Sequence, residues 1–170
     1  MQSKINRIIR KILNMKTYEN TTPKYAHEFF KLIEKSDDRT SKLKEYGVKP
    51  PLNYLLAMNF DDRVEFDLPS GPPPMGKPKE DHPDLYAPLA GSVKRLLACL
   101  KSDTRIPRFK KEHVFLELIE NCNTEEANVL VFAKDKSLTE LYPWLTAEFV
   151  KSVFPDYVHT HSTRKDRSEQ

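Results

Sequence analysis

Apolar residues recur along most of the chain at the three- and four-residue spacings that are typical of amphipathic helices. The N-terminal segment shows this first, in an apolar face made of Ile5, Ile8, Ile9, Ile12 and Leu13. Lysines and arginines occupy its other faces. We therefore predict a basic amphipathic helix over residues 1–16, ahead of the main domain.

Helix-start signals mark the elements that follow. Thr22-Pro23 predicts one start with Thr22 as N-cap, Asp37 or Asp38 predicts a second, and Pro50-Pro51 predicts a third. Gly47 is placed to end the second of these helices. Their predicted buried positions are Phe29, Leu32, Ile33, Leu43, Tyr46, Leu52, Leu55, Leu56 and Phe60.

Further helices are predicted in the second half of the chain. One runs from about Arg108 to Asn121, one is capped by Asn123 or Thr124, and the last is capped by Thr146. Before them, a helix is predicted from an apolar face of Leu89, Val93, Leu96, Leu97 and Leu100. Almost every strand signal is missing, so the predicted fold class is all-α, a compact bundle of about seven helices.

A proline-rich loop over residues 61–90 separates the two halves of the bundle. It holds seven of the thirteen prolines and two of the four glycines. Val64, Phe66 and Leu68 alternate with polar residues there, which favours a short extended segment. The helices on both sides look like partners in one core. We therefore predict a single domain over residues 17–157 and a polar basic tail over 158–170.

Composition sets limits on function. The 170 residues carry 28 basic and 25 acidic side chains, and the net charge of +3 does not indicate a nucleic-acid binder by itself. No apolar stretch reaches the ~18 residues of a membrane span, and no secretory signal is visible. We predict no membrane association and a cytoplasmic location, although the acid-free basic N-terminus also fits a mitochondrial presequence.

The motifs of common enzymes are missing from the sequence. Glycines stand only at positions 47, 71, 76 and 91, which excludes a Walker A loop and a GxGxxG turn. HExxH, GxSxG and Asp-Gly are also absent. Cys99 and Cys122 lie in apolar runs and are predicted to be buried thiols. We therefore predict no catalytic residues, no cofactor and no enzymatic activity.

Two groups of potential metal ligands remain. An acidic cluster of Asp61, Asp62, Glu65 and Asp67 lies at the start of the loop, and His159-x-His161 lies near the tail. A solvated loop edge and a pair of exposed histidines are the simpler interpretations of these groups. No metal site is predicted.

Basic residues give the main functional hint. Four of them, Arg105, Arg108, Lys110 and Lys111, surround a turn and a helix start, with Phe109 between them. Lys134 and Lys136 mark a later break, and Lys151 lies on the last helix. If these regions share a face, the seven side chains can follow a phosphate backbone. Otherwise they are ordinary solvated cations.

The segment from Phe109 to Val158 resembles a known DNA-binding domain. Its order is an apolar helix, an acid-capped helix, a Lys/Asp break, a Thr-led helix and an aromatic-Pro ending. This layout is similar to the end of the N-terminal helical DNA-binding domain of T-even phage ATP-dependent DNA ligases. The resemblance implies a grip on duplex DNA without sequence readout, with Lys134, Lys136 and Lys151 as the first candidates for phosphate contacts. The adenylylation domain of the ligases and its lysine motif are missing.

A second resemblance covers most of the chain, about residues 17–158. Short uncharacterised proteins of tailed phages carry an FDPxVxFxLPxGxPP-like stretch between similar helices, and here it reads FDDRVEFDLPSGPP over residues 60–73. Together the resemblances imply a phage-encoded, non-enzymatic accessory protein that binds DNA through its phosphates. The alternative is a protein–protein adaptor or virion component that contacts a phage or host protein through the loop and the N-terminal helix.

Overall fold

The computed structural model describes residues 23–74 and 86–159. In these ranges the chain forms helices and isolated bridges but no strand. The α-helices are α1 (Ala26–Glu34), α2 (Arg39–Tyr46), α3 (Leu52–Phe60), α4 (Arg108–Asn121), α5 (Thr124–Lys134), α6 (Leu138–Leu141) and α7 (Ala147–Val153). The 3-10 helices are Leu89–Gly91, Val93–Cys99 and Pro155–Tyr157. The all-α prediction is confirmed. The predicted helix over residues 1–16, the middle of the loop and most of the tail lie outside the described residues.

Helix α5 lies at the centre of the bundle. It packs against α1, α3, α4 and α6. Residues on more than one of its sides are buried, among them Ala127, Val129, Leu130 and Val131. Helix α4 packs mainly on the 3-10 helix Val93–Cys99, and α7 packs on α2 and on the turn Pro155–Tyr157. No helix in the described ranges is long and apolar enough to cross a membrane.

Capping side chains begin the helices as the sequence predicts. Asp38 Oδ1 accepts from the Ser41 amide at 3.0 Å, Asn123 Oδ1 accepts from the Glu126 amide at 2.8 Å, and Thr146 Oγ1 accepts from the Phe149 amide at 3.1 Å. Each bond satisfies one of the amides that a helix start leaves without an intrahelical acceptor. Helix α4 also begins and ends at the predicted residues, Arg108 and Asn121.

The predicted start of the first helix is wrong. Helix α1 begins at Ala26, with Tyr25 in the N-cap position, and Pro23 lies before the helix. The Glu28 carboxylate accepts from the amides of Lys24 at 2.8 Å and Tyr25 at 3.2 Å. Because this acid within the first turn satisfies the leading amides, the helix starts later than Thr22-Pro23 suggests.

The predicted helix over Leu89 to Leu100 is of a different type. The chain forms two short 3-10 helices there, and a 3-10 helix has about three residues per turn rather than 3.6. Val93, Leu96 and Cys99 therefore share the buried face at a strict three-residue spacing. Leu97, which an α-helix would have buried beside Leu96, is 47% exposed.

Gly47 ends α2 as predicted, but for a packing reason. Its φ of −71° is open to any residue, so no left-handed conformation calls for glycine. A Cβ at this position would lie 2.5 Å from a ring carbon of Phe154 and 2.6 Å from the Leu43 carbonyl oxygen. Glycine therefore lets the segment after α7 approach the end of α2 closely.

Candidate nucleic-acid interface

The structure separates the seven basic side chains predicted to contact DNA into two sets. The ammonium groups of one set donate to acceptors within the protein; this set is Lys111, Lys134 and Lys136. The other set donates to no backbone carbonyl in the described residues and consists of Arg105, Arg108, Lys110 and Lys151, all exposed at the surface. Of the first set, Lys111 and Lys134 are buried, while Lys136 is exposed. The two sets have different chemical capabilities, because a cation that is already fully bonded has few donors left for a phosphate.

Lys134, the last residue of α5, binds the start of the proline-rich loop. Its Nζ donates to the Pro69 carbonyl at 2.6 Å, the Gly71 carbonyl at 3.1 Å and Asp135 Oδ1 at 2.7 Å. The side chain is only 3% exposed. A lysine has three N–H donors, so all of them are used inside the protein.

Asp135 completes this contact with Gly71. Its Oδ2 accepts from the Gly71 amide at 2.9 Å, so the Lys134–Asp135 pair binds both backbone polar groups of one glycine. Gly71 has a φ of +82°, in the left-handed region that favours glycine. The glycine in the sequence pattern over residues 60–73 therefore has a structural role.

Lys136 follows α5 and adopts a φ of 58°, also in the left-handed region. Its amide donates to the Ala133 carbonyl, and the Ser137 amide donates to the Phe132 carbonyl at 2.8 Å, which is the Schellman pattern of a helix end. Its ammonium then donates to the carbonyls of Met58 at 2.8 Å and Asp61 at 2.9 Å. Lys136 thus binds the C-terminal end of α3. Burial lowers the pKa of its ammonium, against the raising effect of nearby carboxylates.

Lys111 lies in the first turn of α4 and points into the protein. Its side chain is 2% exposed, and its ammonium donates to the Leu100 carbonyl at 2.7 Å and to Asp67 Oδ2 at 3.5 Å. Each of these three lysines therefore binds residues 61–71. Lys111 binds Asp67 and also Leu100, Lys134 binds Pro69 and Gly71, and Lys136 binds Asp61 and also Met58. We call residues 61–71 the anchored segment.

Backbone bonds support the anchored segment along its length. The Asp67 amide donates to the Cys99 carbonyl and the Lys101 amide donates to the Glu65 carbonyl, both at 2.9 Å. A single antiparallel bridge joins Phe66 to Leu100. The predicted extended segment is therefore present, but it pairs over too few residues to form a strand.

The acidic cluster of the anchored segment is matched by cations. Arg63 donates to both carboxylate oxygens of Asp61, with the closest contact at 2.9 Å. Burial raises the pKa of Asp61, but its bonds with Arg63 outweigh this and hold it below its ordinary value. Glu65 pairs with Lys101 at 3.4 Å. Within residues 23–74 and 86–159, no three histidine, cysteine or acidic side chains are grouped as metal ligands.

The start of α4 presents the exposed cations. Arg105 has an 86% exposed side chain and donates through Nε and Nη2 to Asp103 at 3.1 and 3.0 Å. Arg108 donates through Nε to Glu112 at 3.2 Å. Lys110 is exposed and has no side-chain acceptor in the described part of the chain. Since a guanidinium has five N–H donors, both arginines keep donors that face solvent.

An exposed aromatic ring, Phe109, lies between Arg108 and Lys110 in the sequence. Its side chain is 67% exposed. Before α4, a shallow depression of about 340 Å³ is lined by Leu97, Ser102, Asp103, Thr104 and Arg105. The start of α4 therefore combines positive charge, one aromatic face and a concave surface.

Lys151 lies on a different part of the surface. It is exposed in the last turn of α7, whose main packing partners are α2 and Pro155–Tyr157. The main partners of α4 are Val93–Cys99 and α5. The structure therefore groups Arg105, Arg108 and Lys110, and it places Lys151 apart from them.

Glu126 has a structural role that the sequence does not reveal. It lies in the first turn of α5 and is 0% exposed. Its two oxygens accept from the amides of Ala26 and Leu89, each at 2.6 Å, so it caps α1 and the 3-10 helix Leu89–Gly91 together. Burial raises the pKa of Glu126, although both amides favour its ionised form.

The two cysteines have the inert environment that the sequence predicts. Both are buried and free. Burial raises the pKa of Cys99 to about 11 and that of Cys122 to about 12. Since the thiolate is the reactive form, neither side chain is activated as a nucleophile at neutral pH.

Comparison with known proteins gives one match. The sequence model of a family of unknown function, DUF6433, matches residues 30–140. This range includes α2 to α5, most of α6 and the anchored segment. No curated protein and no solved structure matches the chain.

Proposed function

We propose that this chain, which belongs to the DUF6433 family of unknown function, is a non-enzymatic accessory protein that binds duplex DNA through its phosphates. The observation that supports the proposal is the exposed basic surface at the start of α4. Residues 101–112 contain five basic and two acidic side chains, a net charge of +3. Four of the five are exposed, and three of these, Arg105, Arg108 and Lys110, lie within six residues of one another.

The pairing of the arginines with acids is compatible with this role. The Arg108–Glu112 pair is exposed, and exposed ion pairs contribute only about 0–1 kcal/mol, so a phosphate competes with Glu112 at little cost. Arg105 keeps its bonds to the Asp103 carboxylate, which is 14% exposed, and has further donors for a phosphate. Asp103 also fixes the Arg105 guanidinium in one orientation before any ligand arrives. Contacts of this type bind the DNA backbone without reading its sequence.

The resemblance to ligase domains implies that the first DNA contacts lie at the Lys/Asp break, which contains Lys134 and Lys136. We propose instead that DNA contacts the start of α4. Lys134 and Lys136 bond to backbone carbonyls, which supports a structural role for both. The phage origin, the place in DNA metabolism and the host-cell cytoplasm as location remain part of the proposal. They rest on the sequence pattern over residues 60–73 and on the ligase-like order of the last helices.

The proposal is tested by fluorescence anisotropy of labelled duplex DNA at several salt concentrations. Affinity should fall steeply between about 50 and 200 mM salt, because bound phosphates release counterions. Lys110→Glu should weaken binding and reduce the salt slope by about one. Lys35→Glu is the matched control, since Lys35 is also exposed but follows α1 rather than preceding or starting α4. Lys35→Glu should leave the slope unchanged.

Absence of binding at about 50 mM salt would contradict the proposal. Equal effects of Lys110→Glu and Lys35→Glu would also contradict it, because they would indicate a general charge effect rather than a site. The protein–protein adaptor would then be the hypothesis to test. Its proposed contacts, the N-terminal helix and the middle of the loop, lie outside the described residues.

A further inference from the structure

We propose that the start of α4 binds an unpaired DNA base, stacked on Phe109, and that the protein therefore favours DNA with a single-stranded region over fully paired duplex. The inference rests on the proposed DNA binding and names the form of DNA that this surface fits. Its carrying observation is the exposed Phe109 ring, which stands between Arg108 and Lys110 in the sequence and four positions after Arg105, a residue that lines a shallow depression.

Phe109 has no packing role that explains its presence. Three large hydrophobic side chains are exposed in the described ranges, and Phe109 is the most exposed of them at 67%, ahead of Val48 and Leu97. The buried face of α4 is supplied by other residues, namely Phe115, Leu118 and Ile119. An aromatic ring that is left in water loses the favourable free energy that its burial would give. Its exposure therefore points to a ligand.

The surroundings of the ring select the chemistry of that ligand. Arg108 and Lys110 flank Phe109 in the sequence, and Arg105 is four residues before it. A ligand with a flat apolar face and a negative charge satisfies both kinds of group. Nucleotides in a single strand have this combination, because each carries a base with a π-face and a phosphate. An apolar protein surface would instead have to remove water from three cations without compensation.

The dimensions fit a short run of nucleotides. Four residues separate Arg105 from Phe109, so their Cα atoms lie at most about 14 Å apart. A strand that rises about 3.4 Å per stacked nucleotide covers this distance in a few nucleotides. The depression of about 340 Å³ beside Arg105 adds a concave surface at one end of this path. Bases inside an intact duplex are stacked and paired, so only an unpaired base can reach the ring.

The test measures affinity for three labelled DNAs: a fully paired duplex, the same duplex with a single-stranded thymidine overhang, and the overhang strand alone. The unaltered protein should bind the two DNAs with unpaired bases more tightly than the duplex. Phe109→Ala should weaken their binding by about ten- to a hundredfold, the usual loss for one base–aromatic stack. Affinity for the duplex should stay within about twofold, because its phosphate contacts are kept.

Two variants separate stacking from other effects. Phe109→Trp retains an aromatic face and should restore the affinity for the overhang DNA. Val48→Ala removes a different exposed hydrophobic side chain and should change nothing. Because Phe109 is exposed, Phe109→Ala should unfold at the same urea concentration as the unaltered protein.

The outcomes distinguish this inference from the proposed function. If duplex DNA binds and Phe109→Ala affects no DNA, or affects all three DNAs equally, base stacking is wrong while phosphate binding stands. If no DNA binds at about 50 mM salt, both are wrong. A preference for unpaired DNA that Phe109→Ala abolishes and Phe109→Trp keeps supports the inference.

Discussion

Lys110 and Lys111 are adjacent in sequence, yet they occupy opposite environments. Lys110 is exposed, with no side-chain acceptor in the described ranges, while Lys111 is 2% exposed and bonds to the Leu100 carbonyl at 2.7 Å. Successive residues of an α-helix point about 100° apart, so one position separates solvent from core. The comparison shows that the position of a lysine on its helix decides its role, and that charge counts alone cannot.

The same contrast extends to the anchored segment and the start of α4. The anchored segment contains one proline, Pro69, and forms isolated bridges rather than a sheet ladder, so several of its carbonyls need other donors. Lysine ammonium groups, each with three donors, satisfy several of those carbonyls at once. At the start of α4 the acceptors are side-chain carboxylates: Glu112 is exposed and binds Arg108 weakly, while Asp103 is 14% exposed and orients Arg105. Both arginines keep further donors that face solvent. Cations in the first region maintain the fold, and those in the second remain able to bind a ligand.

Lys134→Met should have the largest effect on stability. The variant keeps the aliphatic length but leaves the carbonyls of Pro69 and Gly71 and the Asp135 carboxylate without their donor. We expect the free energy of unfolding to fall by about 2–3 kcal/mol, as for other lost bonds to charged groups. Urea unfolding measures this directly, and the matched variant Lys110→Met should change it by less than about 0.5 kcal/mol.

The two lysine variants should behave in the opposite order in DNA binding. Folded Lys134→Met should retain its affinity, whereas Lys110→Met should lose affinity and show a salt slope that is lower by about one. If Lys134→Met leaves stability unchanged and weakens DNA binding, the division into structural and ligand-binding cations is wrong, and the contact suggested by the ligase resemblance is restored.

Gly71→Ala should have an intermediate effect and tests the geometry of the anchored segment. No atom lies within 4 Å of the added methyl group, so any cost comes from the φ of +82° alone. We expect a loss of about 1–2 kcal/mol. Gly91→Ala is the matched control, because it also adds a methyl group into open space but at a φ outside the left-handed region. It should change stability by less than about 1 kcal/mol, in the stabilising direction. Equal effects of the two variants would argue that residue 71 is free to change its conformation.

The sequence predicts the elements whose signals are local. The bounds of α4 follow from Pro107 and a long apolar pattern, and the caps at Asp38, Asn123 and Thr146 follow from one side chain and a nearby amide. The 3-10 helix Val93–Cys99 was predicted as α because Val93, Leu96, Leu97 and Leu100 also fit the 3.6-residue period. Which of the two periods this segment adopts depends on how it packs in the fold.

The roles of the basic residues depend on contacts that the sequence does not encode locally. Lys134 binds Pro69, which lies 65 positions earlier, and Lys136 binds Met58, which lies 78 positions earlier. Their acceptors are backbone carbonyls, which every residue has, so no residue type marks the partner. The capping of Ala26 by Glu126 spans 100 positions and was equally invisible. The cations that remain available to a ligand could be suggested from the sequence, but they could not be separated from the three lysines that bond to backbone carbonyls.

Substitution of His27 should have the smallest effect on stability. It extends the comparison of basic residues to a buried imidazole whose pKa is lowered. Its Nε2 lies 3.2 Å from Glu125 Oε2, but its buried Nδ1 has no partner in the described ranges. Lys134, in contrast, has an acceptor for each of its three protons. Burial lowers the pKa of His27, although Glu125 and Glu28 act in the raising direction. The neutral form of His27 is thus favoured by its burial, at a ring whose Nδ1 has no partner among the described residues.

The sign of the pH dependence follows from that lowered pKa. In the unfolded chain His27 takes up a proton near its ordinary pKa of about 6.5, while in the folded protein it stays neutral to lower pH. Its contribution to stability is thus present above about pH 6.5 and is lost as the pH falls toward its folded pKa. Urea unfolding between about pH 7.5 and 5.5 should show a decline of less than about 1.4 kcal/mol per pH unit from this group, the limit for one proton.

His27→Gln, which keeps a donor for Glu125 but cannot titrate, should flatten the decline, and the exposed control His113→Gln should not. If both variants retain the full slope, His27 is protonated in the folded protein, and a missing acceptor at Nδ1 does not keep a buried base neutral here.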